Sequence, residues 1–228
     1  LLARALDDAD PRARAAAALG LAQRPGNAGL SRKLAARLER ERWTMVARSL
    51  AEALGRHCSR EGLVALRNRV RTGTQGVDQR ALMSLARCKP RGLDRQLLAL
   101  ARSDRARAPL RERALSLLTP RMARARAGEL VKLFADLRRY AVSNDADETV
   151  AVSCTSALAR SGSDRAAEAL ADALALDPHE SIRASAALAL GRMCARPGAA
   201  TLRQAALKDA SRAVRRAAGM SIRRCGFE

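Results

Sequence analysis

The stretch "DPHESIRASAALALGRMC", residues 177–194, decides how this sequence folds. It opens with Asp-Pro, a pair typical of turns, and continues with Ile182, Ala186 and Leu190. Residues four apart lie on one face of an α-helix, so these three predict a helix with an apolar stripe. The stretch also holds a His, a Glu, a Met and a Cys, residue types found in metal and redox sites. The rest of the chain favours the helix over the site.

The same helical pattern recurs along the whole chain. It consists of an apolar residue, often Arg next, a small residue four positions after the first, and Leu or Ile four positions later. The first residues of the copies are Pro11, Val46, Val77, Leu110, Val150, Ile182 and Val214, and the last are Leu19, Leu54, Leu85, Leu118, Leu158, Leu190 and Ile222. A second helical stretch precedes each copy, and turn residues such as Asn144 and Asp145 separate the two. Each unit is therefore helix A, a turn and helix B. Such units bury their apolar stripes by stacking into an α-solenoid.

Composition supports an all-α fold and an anionic partner. The 228 residues are 48% hydrophobic and only 2% aromatic, and Ala and Leu, strong helix formers, dominate the apolar share. The formal net charge is +20, which attracts anions in a salt-dependent way.

No apolar run approaches the roughly 18 residues that a membrane-spanning helix needs. Five cysteines without C-x-x-C spacing favour a reducing compartment. We therefore predict a cytoplasmic protein, or a periplasmic one if a signal peptide was removed before Leu1.

The segments "SIRASAALALG" (181–191) and "AVRRAAGMSI" (213–222) resemble the second helix of HEAT repeats in their short bacterial, PBS-lyase-like form. That form has an Asp-Pro turn and a V-R-x-x-A-x-x-x-L-G helix. The resemblance covers nearly the whole chain and implies a right-handed α-solenoid of about seven stacked helix pairs. The predicted units, within one domain over 1–228, are 1–25, 30–60, 61–90, 92–122, 126–162, 164–197 and 199–228.

The resemblance also assigns a structural role to the second residue of helix B. In HEAT repeats an arginine there commonly pairs with a turn aspartate of the same or the adjacent unit. In this chain the matching residues are Arg12, Arg111, Arg183 and Arg215. We therefore exclude these four from the predicted binding residues.

The sequence offers little for metal binding or catalysis. HEAT-like deoxyhypusine hydroxylases bind iron through several His-Glu pairs, whereas this chain has only His57 and His179 and a single His-Glu. His57 and Cys58 are neighbours that a helix points about 100° apart, which disfavours a nucleophilic dyad. Phosphate-binding loops and zinc or serine-hydrolase motifs are absent from the sequence. We predict no metal, no cofactor, no small-molecule substrate and no enzymatic activity.

Four cysteines lie at nearly one position of the repeat, the end of helix B. They are Cys58, Cys88, Cys194 and Cys225. Neighbouring helices ordinarily pack about 8–10 Å apart. A disulfide requires the two Cα atoms to lie within about 7 Å. The spacing therefore predicts structural thiols in preference to disulfides or metal ligands.

A column of arginines follows the apolar stripe. Ten residues after the first apolar residue of helix B, or one position later in the fourth unit, come Arg56, Arg87, Arg121, Arg160, Arg192 and Arg224. This position lies away from the buried stripe and predicts an arginine ladder at the ends of the B helices, along or beside the inner groove of the solenoid. Cations in the last turn also stabilise a helix through its macrodipole. The sequence leaves a binding and a capping role open.

Charge is unevenly distributed along the chain: residues 31–125 carry a net +15, residues 126–198 a net −1, and the last thirty a net +5.

The favoured function is a non-catalytic scaffold or adaptor within a larger assembly, which binds an acidic segment of a partner protein along a basic concave surface. The alternative is sequence-nonspecific binding of duplex DNA or RNA through the phosphates. The few aromatic residues (Trp43, Phe134, Tyr140 and Phe227) argue against single-strand binding and base excision.

Overall fold

The computed structural model describes residues 1–74 and 76–227, so the predicted end of the seventh unit at residue 228 lies outside it. The described part of the chain is helical without any strand, and its helices pack as hairpins. The prediction of an all-α solenoid is confirmed. None of these helices is long and apolar enough to span a lipid bilayer.

The α-helices of the described residues are α1 (Leu2–Ala5), α2 (Pro11–Ala22), α3 (Ala28–Arg40), α4 (Thr44–His57), α5 (Arg60–Thr72), α6 (Val77–Cys88), α7 (Leu93–Arg102), α8 (Ala108–Ser116), α9 (Pro120–Ala125), α10 (Ala127–Ala141), α11 (Asp145–Ser161), α12 (Asp164–Leu176), α13 (Glu180–Met193), α14 (Ala199–Lys208) and α15 (Arg212–Cys225). A 3-10 turn at Arg196–Gly198 precedes α14.

The first compact unit of the chain spans Leu1–Leu93. It consists of the hairpins α1/α2, α3/α4 and α5/α6, and its second helices α2, α4 and α6 pack against one another in order. On α4 the stripe of Val46, Leu50 and Leu54 is completely buried, as the four-residue spacing predicts.

The second compact unit begins at Asp94. Its B helices α8, α11, α13 and α15 pack side by side in chain order, and its A helices α10, α12 and α14 do the same. Ile182, Ala186 and Leu190 from the opening stretch are completely buried on α13. The unit also contains α9, a short extra helix that packs against α11.

Short polar side chains fix where the helices begin. Asn27, Ser59 and Ser163 each accept a hydrogen bond from the backbone N–H three residues later. This satisfies one of the N–H groups that the first turn of a helix leaves without a partner. In the A–B turns, Asp177 and Asp209 each accept a hydrogen bond from the backbone two residues on, at 3.0 and 2.8 Å. The turns are therefore specified locally by the sequence.

The arginine at the second position of the repeated pattern lies at these turns, and in two repeats it pairs with a carboxylate of the next hairpin. The Arg183 guanidinium donates to both carboxylate oxygens of Asp209 in the next hairpin, at 2.9 and 3.1 Å. Arg111 pairs in the same way with Asp147, at 2.7 Å. Arg215 donates to the backbone carbonyls of Asp209 and Ala210. The predicted pairing with an aspartate is therefore confirmed for Arg183 and Arg111, whereas Arg215 contacts only backbone carbonyls of its turn.

The predicted register of the first repeat is wrong by two residues. Leu19 is 43% exposed and Arg12 lies on the surface, whereas Leu21 and Arg14 are buried. Arg14 pairs with Glu41 at 3.0 Å and donates to two turn carbonyls, as Arg183 does in its own repeat. The reason is the composition of α2, "PRARAAAALGLA", in which a run of alanines defines no single apolar stripe.

Candidate arginine site at the ends of the B helices

Three arginines of the predicted ladder lie on consecutive B helices of the second unit. Arg160, Arg192 and Arg224 occupy the last turns of α11, α13 and α15, and we call them the arginine row. Arg192 and Arg224 are exposed, and Arg160 is half-buried. Because α13 packs against both α11 and α15, the three side chains project from neighbouring helix ends.

Two members of the row also form hydrogen bonds with the preceding B helix. The Nε and Nη2 groups of Arg160 donate to the carbonyls of Leu118 and Leu115 at the end of α8, at 3.0 and 2.7 Å. Leu115 lies in the last turn of α8, where backbone acceptors lack intrahelical partners, and Leu118 lies two residues beyond the helix. Arg192 donates to Ser156 Oγ at 3.1 Å. Arg160 on α11 therefore stabilises the end of the neighbouring helix α8, a role that the sequence did not predict.

The electrostatics of the row show an excess of positive charge. Partial desolvation of the Arg192 side chain, and then the charge of Arg224, hold the pKa of Arg192 below its usual value. Burial, and then the charge of Arg192, do the same to the pKa of Arg160. No carboxylate among the described residues forms an ion pair with any of the three. The row is thus a run of like charges without a counter-ion from the described chain.

The corresponding positions of the first unit differ in this respect. Arg56, in the last turn of α4, has its Nη2 3.5 Å from Glu52 Oε1. The other Glu52 oxygen lies 3.7 Å from Arg80 Nη1. Arg87, in the last turn of α6, is exposed. Glu52 therefore gives Arg56 a counter-ion, which the members of the arginine row do not have among the described residues.

Arg121 does not belong to the ladder. Helix α8 ends at Ser116, and Thr119 then caps a new helix, α9, with Pro120 at its first position. Arg121 is consequently an exposed residue in the first turn of α9, whereas the prediction placed it at the end of a B helix. Proline is well suited to begin a helix and cannot continue one, which explains the break.

The prediction of structural thiols at the ends of the B helices is wrong for all four of those cysteines. Cys58 is bonded to Cys88, and Cys194 to Cys225, with Cα–Cα distances of 5.3 and 5.2 Å. Each disulfide joins the ends of two adjacent B helices within one unit. Only Cys154, completely buried on α11, is free.

Glycines bring these helix ends closer than ordinary packing allows. A Cβ atom added to Gly55 would lie 2.5 Å from Ser84 Cβ, and one added to Gly191 would lie 2.5 Å from Ser221 Cβ. The signal was present in the sequence, because "LGRHC" and "MSLARC" in the first unit recur as "LGRMC" and "MSIRRC" in the second. The generic helix distance used for the prediction does not apply where glycine faces serine.

The two histidines have structural contacts. His179 precedes the first residue of α13 without a side-chain capping bond, and its Nδ1 lies 3.1 Å from Asp177 Oδ1. His57 Nε2 lies 3.1 Å from the Leu21 carbonyl of the preceding B helix. The described residues include no group of three or more His, Cys, Asp or Glu side chains placed to hold a metal ion.

Helix pairs that stack through their second helices and are tied at the turns by arginine–carboxylate pairs define an α-solenoid repeat protein. A family model described as HEAT repeats matches residues 135–223. Those residues, which span α10 to α15, therefore form HEAT repeats. No curated protein matches the chain in sequence.

Two solved structures are similar over the length of this chain. Human deoxyhypusine hydroxylase in complex with glycerol has a TM-score of 0.47 and 19% identity, over 100% of this chain and 84% of that one. An engineered protein has a TM-score of 0.33 and 17% identity, over 99% of this chain and 95% of that one. Likenesses this distant carry no argument about activity.

Proposed function

We propose that this protein is a non-catalytic HEAT-repeat scaffold that binds an acidic segment of a partner protein at the ends of its B helices. The arginine row, Arg160, Arg192 and Arg224, is the principal contact surface. The observation that carries the proposal is that these like charges lie on neighbouring helix ends with no carboxylate of the described chain beside them.

The chemistry of the row suits a carboxylate ligand. Adjacent like charges destabilise the folded chain, and an anion placed between them relieves the repulsion. A guanidinium matches the geometry of a carboxylate through two parallel N–H donors. Arg160 is oriented by its contacts to α8, and the Arg224 side chain forms no hydrogen bond or ion pair with the described residues that would have to break before it meets a ligand. The row therefore offers partly pre-organised cations.

A compartment follows from the cysteines as part of this proposal. Disulfides persist in oxidising compartments and are rare in the cytosol. The two disulfides therefore favour the periplasmic alternative over the cytoplasmic prediction. The acidic partner would then be sought among proteins of an oxidising compartment.

The test compares two double substitutions, each of which removes two positive charges from the last helices of the second unit. R192A/R224A removes the two exposed members of the row, and R212A/R216A removes two exposed arginines from the other end of α15. Binding of a fluorescein-labelled twenty-residue polyglutamate peptide is measured by anisotropy at 150 mM salt. We expect R192A/R224A to weaken binding at least about tenfold, since a hydrogen bond to a charged group contributes about 1.5–3 kcal/mol.

The control variant should stay within about twofold of the wild type, because it changes net charge without touching the row. Equal losses in both variants would reduce the row to a part of the general positive field and overturn the proposal. A parallel titration with a random-sequence DNA duplex decides the alternative. Tighter DNA binding that needs Arg192 and Arg224 and falls steeply with salt would establish a phosphate-binding function instead.

A further inference from the structure

The two disulfides occupy equivalent positions in the two units. The first cysteine of each pair, Cys58 or Cys194, follows a B helix and adopts a left-handed conformation, with φ of 52° and 47°. The second, Cys88 or Cys225, is the last residue of the following B helix. Each bond therefore fixes the ends of two neighbouring B helices to each other.

In the second unit this fixed pair of helix ends carries two members of the arginine row. Arg192 precedes Cys194 by two residues, and Arg224 is adjacent to Cys225. The charge of Arg224 lowers the pKa of Arg192, so the two guanidinium groups lie within range of mutual repulsion. A covalent link at the same helix ends opposes the separation that this repulsion favours.

The helices are also held together just before the disulfide. Ser221 on α15 donates to the carbonyl of Ala187 on α13 at 2.9 Å, and Gly191 leaves room for the Ser221 side chain. Beyond this contact the Arg192 and Arg224 side chains are exposed, and the disulfide joins the last turns on which they lie.

We infer that Cys194 and Cys225 are positioning residues for the arginine row: their disulfide sets the spacing of Arg192 and Arg224 that an acidic segment recognises. The inference rests on the proposed function. It makes binding dependent on redox state. A dithiol reductant gives two electrons and two protons to the S–S bond, which breaks into two thiols while the reductant closes to its own disulfide.

The chain provides a matched control for this inference. The Cys58–Cys88 disulfide has the same place in its repeats, but Glu52 lies beside the neighbouring Arg56. C58S/C88S therefore removes an equivalent disulfide from the unit that does not contain the arginine row. Both variants, and the wild type, are titrated with the polyglutamate peptide, and their folding is checked by thermal melting in circular dichroism.

We expect C194S/C225S to bind the peptide about five- to tenfold more weakly than the oxidised wild type, and C58S/C88S to stay within about twofold. A C194S/C225S protein that binds as the wild type does, or two variants that lose affinity equally, would overturn the inference. If the oxidised wild type itself does not bind the peptide, the proposed function fails and this inference fails with it. If the wild type binds the peptide and C194S/C225S binds it with the same affinity, only the inference fails and the proposed function stands.

A second measurement separates positioning from general stability. In R192A/R224A the arginines are gone, so adding C194S/C225S should change the remaining affinity by less than about twofold. A further loss as large as the one in the wild-type background would show that the disulfide acts through stability, and would overturn the positioning role. Hydrogen exchange at the ends of α13 and α15 should rise in C194S/C225S whether or not peptide is present.

Discussion

Arginine has two different roles in this molecule, structural and ligand-binding, and the residues around each side chain determine which role it has. Arg14 is buried, and its guanidinium donates hydrogen bonds to the Glu41 carboxylate and to two backbone carbonyls of the turn. Arg224 is exposed beside another arginine. The first arrangement specifies a turn between hairpins, and the second leaves charge available for a ligand.

The two-residue register of the first repeat gives a direct prediction. Arg14→Ala leaves Glu41, whose side chain is 1% exposed, with only Arg37 and backbone N–H groups as partners. We expect a loss of about 2–4 kcal/mol in the free energy of unfolding, because a buried charge loses one of its ion pairs. Urea unfolding followed by circular dichroism measures this change.

Arg12→Ala is the matched control, since Arg12 is exposed on the same helix two residues earlier. It should change the free energy of unfolding by no more than about 0.5 kcal/mol. Comparable losses in the two variants, or a larger loss in Arg12→Ala, would contradict the register in which Arg14 faces the turn.

At the level of the helices, periodicity predicts packing wherever large and small residues alternate clearly. Val46, Leu50 and Leu54 define their stripe by size, and the structure buries all three. In α2 alanine fills both possible stripes, so the sequence pattern is ambiguous and only the packed structure selects Leu21 over Leu19. The A–B turns were predictable because Asp and Pro act locally.

The candidate site was predictable only in part, for a related reason. The column that includes Arg160, Arg192 and Arg224 follows from counting along each helix. The neighbours that decide its chemistry, such as the α8 carbonyls at Arg160 or Glu52 at Arg56, depend on which side chains adjacent helices bring near. The disulfides were missed because a standard helix distance was assumed where Gly191 meets Ser221.

This close approach of α13 and α15 leads to a prediction about the helix pair. Gly191→Ala places a Cβ 2.5 Å from Ser221 Cβ and 2.8 Å from its Cα, so the helices must separate. We expect a loss of about 1–3 kcal/mol in the free energy of unfolding, as for other overpacked interiors. Chemical unfolding of the oxidised protein measures it.

Gly219→Ala, inside α15 itself, serves as the control. Its added Cβ would meet only the end of the Arg223 side chain, at 3.7 Å. Alanine has a higher helix propensity than glycine, so this variant should be more stable by up to about 1 kcal/mol. A Gly191→Ala protein as stable as Gly219→Ala would mean that α13 and α15 do not approach through this glycine.

For the whole molecule, each compact unit contains its own disulfide. Cys58 and Cys88 are separated by 30 residues, and Cys194 and Cys225 by 31. Repeat units interact mainly with their neighbours, so a covalent bond between adjacent repeats stabilises the unit that contains it. Closing a loop of this length restricts the unfolded chain and contributes on the order of 3.5 kcal/mol for each disulfide in the chain-entropy description.

The last prediction counts the free thiols of the oxidised protein. Cys154 is the one free cysteine among the described residues, and burial raises its thiol pKa to about 12. At pH 8 the native protein should therefore react with Ellman's reagent at no site, because the thiolate is the reactive form and the sulfur is enclosed.

In guanidinium without reductant, Cys154 becomes accessible and one thiol per chain should titrate. After reduction in guanidinium all five cysteines should react, which controls for complete unfolding. Five thiols before reduction would show that neither pair of helix ends is linked, and with it the positioning of Arg192 and Arg224 by a disulfide would be excluded.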